Sequence, residues 1–319
     1  MAGNQMQITN QSNLDAARIG FHIALMQALE AVAPDPGEAL FAEVESTTAI
    51  EEYDWIGDVP GFEKWVGDRK LGDFGAHKLR VANDDWASGM RAHQNNFKDD
   101  KLGLFPLSVR QLAAKARRHR GDLCVKAMLN GFDGNLYPEA GNGLAYDGAM
   151  FFSTSHANGS NKMTSALSAT ALAEAERMFG AMTTADGKDP LDVEGTALIF
   201  GPALRETAEK LVKNDMVPNA AGTASESNIN KGRYTLIESR RIRGAQANWW
   251  FLASLNNPVK PFLFQLREDI STSAILGGQG TANDSVPRFQ KGQIWFGAEA
   301  RYAVAPFAFQ TIIGSKVAA

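Results

Sequence analysis

The sequence predicts an α+β fold, and three observations carry the prediction. A long amphipathic helix runs between Pro106 and Gly131; the chain after Phe132 alternates helical and strand-like segments; and the last third is dominated by strand-like runs, Pro261–Arg267 and Gln293–Ile313. A fourth stretch stands apart from all of these. Ser46–Arg69 holds Tyr53, Trp55, Phe62 and Trp65 among acids, glycines and Pro60. Its apolar residues fit neither helical nor strand periodicity, and its glycines punctuate it too densely for a core element. Large aromatics in such a segment read as anchors for another surface.

In chain order, the first element is a helix over Leu14–Val32. Ser12 or Asn13 caps it, Phe21, Leu25 and Leu29 mark its apolar face, and Pro34 and Pro36 end it. After the aromatic segment come two strand-like runs, Ala76–Ala82 and Trp86–Asn95, joined by Asn83-Asp84-Asp85, which reads as a hairpin turn. The next helix starts with Pro106 in its first turn and stops before Gly131, the asymmetry helices favour. Val109, Leu112, Ala113, Ala116, Leu123 and Ala127 form its buried face, and Gly121-Asp122 is its candidate kink. Ala149–Phe152 reads as a short strand, Ser168 caps a helix reaching Met182, Ala197–Phe200 is a buried strand, and Pro202 starts a helix to Lys213. Tyr234–Ile242 and Trp249–Ser254 are strand-like, Asn219–Gly232 reads as a mobile loop, and Ser271–Arg288 as a flexible stretch.

The 319 residues suffice for one large or two medium domains. A composition of 44% hydrophobic and 21% charged residues is that of a folded soluble chain, and a net charge of -4 does not fit a dedicated nucleic-acid binder. Cys124 is the one cysteine, so there is no internal disulfide and no zinc site built from several cysteines. Met1–Asn13 lacks a basic-then-apolar layout, and no apolar run approaches a membrane span of ~18 residues. No secretory leader, membrane span or membrane partner is expected, and the plain reading is a cytoplasmic protein.

Few residues invite chemistry. Ser155 and His156 beside Asp147 evoke a hydrolase, but there is no Gly-x-Ser-x-Gly elbow, and a polar turn is the simpler reading. His22, His77, His93, His119 and His156 never show the spacing of a zinc helix. Asp133, Glu139 and Asp147 miss calcium-loop spacing. No catalytic, cofactor or metal residue is therefore assigned. Lys115, Arg117, Arg118 and Arg120 form the one basic cluster: a solvated helix face or a sequence-blind phosphate contact.

Three blocks together carry a resemblance. They are Ser46-Thr-Thr-Ala through Arg69; Tyr146-Asp-Gly-Ala-Met-Phe-Phe-Ser-Thr-Ser-His156; and Trp250-Phe-Leu with Asn257-Pro-Val-Lys-Pro-Phe-Leu-Phe-Gln-Leu-Arg267 and Phe296–Tyr302. In this order and spacing the chain, from about Leu14 to Gly314, resembles the major head (capsid) subunit family of phage Mu and Mu-like prophages. The resemblance implies the Hong Kong 97-type tailed-phage capsid fold, divided as an amino-terminal arm (1–43), an extended loop (44–101), a peripheral domain with a spine helix (102–131 and 255–319) and an axial domain (132–254). It also implies a structural, non-enzymatic protein of the virion, assembled in the host cytoplasm as pentamers and hexamers of an icosahedral shell around double-stranded DNA. Because the first helix begins almost at once, a separate scaffolding protein is implied, with a portal protein, a candidate decoration protein and non-specifically held DNA as further partners. Tyr53, Trp55, Phe62 and Trp65 become candidate inter-subunit contacts, and Lys115, Arg117, Arg118 and Arg120 candidate DNA-facing residues. The competing readings are a non-viral, encapsulin-like shell subunit and a Ser155/His156 hydrolase.

Overall fold

A computed structural model of the chain describes residues 11–55, 77–93, 104–156, 158–183, 189–218, 225–275 and 292–318. The chain forms two compact units. Unit 1 is drawn from Met1–Asp35, Asn83–Arg120 and Leu266–Tyr302, and unit 2 from Pro36–Ala82, Gly121–Gln265 and Ala303–Ala319. These divisions follow compactness and do not coincide with the four segments that the resemblance implies.

In unit 1, helix α1 (Gln11–Ala31) ends shortly before Pro34, and the first part of helix α2 (Leu104–Asn130) shares its core. Phe21 and Leu25 of α1 meet Val109, Leu112 and Ala113 of α2. Against them lie Ile294, Phe296 and Ala298, alternate residues of a long strand, which is the period-2 signature of a sheet with one buried face. Phe21 and Phe296 pack with ring centroids 4.8 Å apart.

Unit 2 is built on a five-stranded sheet. Counting strands along the chain, β1 is Phe41–Glu45, β2 Ile50–Trp55, β3 His77–Ala82, β4 Asp84–His93, β5 Lys162–Met163, β6 Ala197–Phe200, β7 Met216–Pro218, β8 Ser225–Ser227, β9 Thr235–Glu238, β10 Trp250–Ala253, β11 Phe262–Ile275, β12 Gln293–Pro306 and β13 Ile312–Ser315. The order in the sheet is β5-β13-β10-β6-β9. Every residue of β6, β10 and β13 is buried, so these strands read as short continuous apolar runs. Helices α3 (Ala169–Gly180) and α4 (Arg205–Lys213) supply Leu172, Ala175, Phe179, Ala208 and Val212 to the core around Trp250. Ser168 caps α3 as expected, its hydroxyl accepting from the Ala171 amide at 3.1 Å. Gly314 sits where a Cβ would lie 2.7 Å from the Phe132 ring, so β13 approaches that aromatic layer only as glycine.

Several sequence expectations are corrected. The runs around β3 and β4 do not form a hairpin. Only Asn83 separates them, too short a link for antiparallel neighbours. Instead β3 pairs antiparallel with β2, from Ile50↔Ala82 to Trp55↔His77, and β4 pairs with β12, from Gln293↔His93 to Tyr302↔Asp84. The segment 50–55, which fitted no pattern, is thus a strand. Ala149–Phe152 is not one: the Phe151 and Phe152 amides donate to the carbonyls of Gly143 and Gly131, two separate segments of the chain. β11 continues to Ile275, into the stretch read as flexible, and β8 lies within Asn219–Gly232, paired with β7. Despite Gly121-Asp122, α2 is one uninterrupted helix.

Candidate functional site

The described part of the first block, residues 46–55, is organised around a carboxylate. Between β1 and β2 the chain turns through Ser46–Ile50, and the Glu51 side chain reaches back into that turn. Its Oε1 accepts from the Thr47 amide at 2.7 Å, the Thr48 amide at 2.8 Å and the Ser46 hydroxyl at 3.0 Å. These donors, the Thr48 and Thr47 amides first, hold the Glu51 carboxyl down at about 2. The Ser-Thr-Thr-x-x-Glu spacing is the signal that sequence reading passed over in favour of the aromatics.

Tyr53 follows on β2. It is half-buried, packs on the Val81, Ala303 and Ala305 cluster, and donates its hydroxyl to Gln265 Oε1 at 2.9 Å. Burial first, and the Glu51 charge second, push its phenol up. Tyr53 therefore has a partner within its own chain. Trp55 pairs with His77 in the β2–β3 register, while its side chain, like the whole of Phe62 and Trp65, lies outside the described residues.

The second block forms a buried polar buckle. Asn161, fully buried, donates to the carbonyls of Phe151 (2.8 Å) and Phe309 (3.2 Å) and accepts from the Ser153 amide (2.9 Å). His156 stacks on Phe309 with centroids 3.7 Å apart. Its Nδ1 lies 2.6 Å from Asp147 Oδ2, and its Nε2 lies 3.2 Å from the Phe151 carbonyl oxygen. Nε2, the nitrogen that a triad turns towards its serine, thus faces a backbone carbonyl and not the Ser155 hydroxyl. This geometry does not favour the Ser155/His156 hydrolase reading. Asp147 also caps the Ala149 amide at 3.1 Å, and Glu139 pairs with Lys126 at 2.8 Å, so two of the three calcium-like acids are committed to separate partners. Among the described residues, no group of three or more His, Cys, Asp or Glu could hold a metal ion, and no helix is long and apolar enough to cross a membrane.

The basic cluster on α2 divides. Lys115 and Arg118 are exposed, whereas Arg117 and Arg120 are half-buried. At ~100° per residue each pair is close in angle, but the two pairs lie on nearly opposite sides of the helix. Beside them in unit 1, His119 Nδ1 lies 2.7 Å from the Tyr302 hydroxyl, and Trp86 donates to the Tyr302 carbonyl at 2.9 Å. Burial drives the Tyr302 phenol well above its ordinary value, opposed by the Arg120 charge. His119 is part of a packed aromatic group.

Sequence reading missed a second basic group in unit 2. Ser239-Arg240-Arg241-Ile242-Arg243 is a turn closed by Ile242 N–H donating to Ser239 O at 3.2 Å. Arg241 forks onto Asp122 of α2, its Nε 2.6 Å from Oδ1, while Arg240 and Arg243 are exposed.

Known proteins place this architecture. The procapsid protein of bacteriophage JBD30 superposes with a TM-score of 0.55, at 20% identity, over 96% of this chain and 75% of that one. The fold is the Hong Kong 97-type tailed-phage capsid fold. In sequence, the chain is 31% identical over 131 residues to the Mu-like prophage FluMu major head subunit of Haemophilus influenzae, covering 41% of this chain and 40% of that one. It is 27% identical over 124 residues to the major capsid protein of Escherichia phage Mu, covering 39% and 38%. The matched stretches thus span less than half the length of these curated relatives. The family model for the Mu-like prophage major head subunit gpT matches residues 14–166, 157–242 and 239–318, and with that match running nearly end to end, the chain belongs to the Mu-like major head subunit family.

Proposed function

We propose that this chain is a major capsid protein that self-assembles into pentamers and hexamers of an icosahedral phage head around double-stranded DNA. The observation that carries this reading is the family match from residue 14 to residue 318. The role is structural and non-enzymatic, in keeping with a His156 whose ring is locked between Asp147 and the Phe151 carbonyl. It places the protein in the virion after assembly in the host cytoplasm, with a separate scaffolding protein, a portal protein and a candidate decoration protein as partners.

In this reading residues 1–43 are the arm, 44–101 the extended loop, 102–131 and 255–319 the peripheral domain, and 132–254 the axial domain. The β2–β3 ribbon lies within the extended loop, and the five-stranded sheet supplies most of the axial domain. Trp55, Phe62 and Trp65 bury against a neighbouring copy; Tyr53, satisfied within its own chain, contributes less. Lys115 and Arg118, the exposed pair on α2, are the DNA-facing candidates.

Sedimentation and negative-stain microscopy of the purified chain test the assembly. Megadalton shells or ring-shaped capsomers are expected, and a stable monomer or dimer under all conditions overturns the reading. Nuclease-protected DNA within shells made in infected cells separates a phage head from an encapsulin-like compartment. Trp65→Ala should lower particle yield while leaving subunit melting unchanged.

A further inference from the structure

The two ends of the parallel β6–β9 pair in unit 2 carry opposite, unneutralised charge. The register runs from Ala197↔Thr235 to Phe200↔Glu238. Beyond the Phe200 end lies the arginine turn. It is fastened by the Ser239 amide on the Phe200 carbonyl at 2.9 Å and by the Arg241–Asp122 fork. Gly201 lets it seat closely, since a Cβ there would come within 2.2 Å of the Ile242 carbonyl oxygen. With Arg241 held and Ile242 buried, Arg240 and Arg243 are left exposed, and neither forms an ion pair among the described residues. The backbone of the turn is already fastened, so docking has only the two arginine side chains left to order.

At the other end, before Ala197, the exposed Asp192 and Glu194 likewise form no ion pair among the described residues. Asp192 holds a φ of 50°, in the left-handed region that few non-glycine residues adopt. Glu194 lines a cleft of about 250 Å³ with Thr196, Thr235, Leu255 and Asn256. Arg233 also borders the cleft, but it is drawn to Glu176 at 3.3 Å. The unpaired charge in the cleft is therefore acidic, and its remaining polar groups can accept from a guanidinium. The intervening four-residue strands separate the two ends by at least ~13 Å. One chain therefore cannot bring its own arginine turn to its own cleft.

We propose that the Arg240/Arg243 turn of one copy docks on the Glu194 cleft of the next, with Asp192 two residues before it, a head-to-tail contact that closes rings. The proposal rests on the capsid reading above. Two different, complementary patches on one subunit are what a heterologous ring requires; a two-fold dimer would have to engage both patches reciprocally in one interface, and sedimentation separates that dimer from a ring. Charge complementarity at such a contact also fixes register and rejects wrong pairings.

The test is charge reversal followed by exchange. R240E/R243E, in the full chain, should lower the fraction sedimenting as capsomers or shells at least about tenfold, the scale expected for reversing close interfacial charges. Circular dichroism and subunit melting should be unchanged. D192R/E194R should lower assembly likewise, and D192N/E194R, which keeps at 192 a residue type that tolerates positive φ, controls for backbone strain. The chain carrying all four charge reversals should recover assembly, and so should a mixture of R240E/R243E with D192R/E194R, whose copies can alternate around a hexamer. Wild-type assembly by R240E/R243E, or no recovery in the four-fold variant, would overturn the contact while leaving the capsid reading intact. Normal shells with weakened, salt-sensitive DNA retention would overturn it in favour of a phosphate contact. A wild-type chain that never assembles would remove the capsid reading and this contact together.

Discussion

Unit 1 and unit 2 are held together by different means. Unit 1 sets two helices against one face of a sheet, and the described core, Phe21, Leu25, Val109, Leu112, Ala113, Ile294, Phe296 and Ala298, is entirely apolar. The outward residues of β4 are exposed, and the Gly89↔Gly297 pair leaves a shallow trough on that face. Unit 2 buries three strands on both faces and then pins irregular loops to them with buried polar side chains. Asn130 spans the Tyr137 and Gly141 carbonyls at 2.6 and 3.0 Å, and Asn161 and His156 hold the 151–153 segment. The difference teaches that loops too irregular for a ladder need side chains to answer their backbone groups, because an unanswered buried amide or carbonyl is costly. A one-sided sheet needs only its alternate apolar residues.

Substitutions can break that contrast, beginning with the largest effect. Phe296→Ala removes the ring that faces Phe21 and should destabilise unit 1 by about 3–5 kcal/mol. Hydrogen exchange would show the loss first in α1, β4 and β12, and uniform loss across both units would contradict separate cores. Asn161→Ala orphans the Phe309 carbonyl and the Ser153 amide and leaves the Phe151 carbonyl to His156 alone, and should cost at least about 2 kcal/mol, at ~1–3 kcal/mol for each orphaned group. A urea-melt change under about 1 kcal/mol would mean that the polar buckle contributes little. Tyr53→Phe removes one hydroxyl from Gln265 and should cost about 1 kcal/mol, read by thermal melting. Glu51→Gln comes last, and its effect depends on pH: it is fully present at neutral pH and shrinks in acid. The Glu51 carboxyl falls from its ordinary 4.5 to about 2 in the folded chain, so its contribution is complete above pH 4.5 and is lost as pH drops towards 2. The glutamine variant should flatten the acid limb of a stability-against-pH curve over that window, and an unchanged limb would show that the turn holds without the charge.

Helices were legible in the sequence because their signals are local. Ser168, Pro202, Gly131 and the Pro34/Pro36 pair punctuate the chain within a few residues of where the helices begin and end. Buried strands such as 197–200 and 250–253 were legible as short apolar runs. The polar buckle was not: Asn161 and His156 look like ordinary turn residues, and their burial depends on Phe309, some 150 positions further on. The arginine turn was overlooked for a similar reason, since its exposure depends on Arg241 being taken by Asp122, on a helix more than a hundred residues earlier. The aromatic segment drew attention through Tyr53 and Trp55, yet the organising residue in its described part is Glu51.

By itself the sequence determined the α+β class, the positions of the helices, the buried strand at 197–200 and the family, because each rests on local periodicity, punctuation or an ordered set of blocks. Only the tertiary structure decided that β3 joins β2 while β4 joins β12 some two hundred residues away, that the α2 basic residues point in two directions, and that unpaired charges of opposite sign sit at the two ends of β6 and β9. Strand pairing and charge neutralisation are contests among partners distant in sequence, and local pattern carries no record of which partner wins.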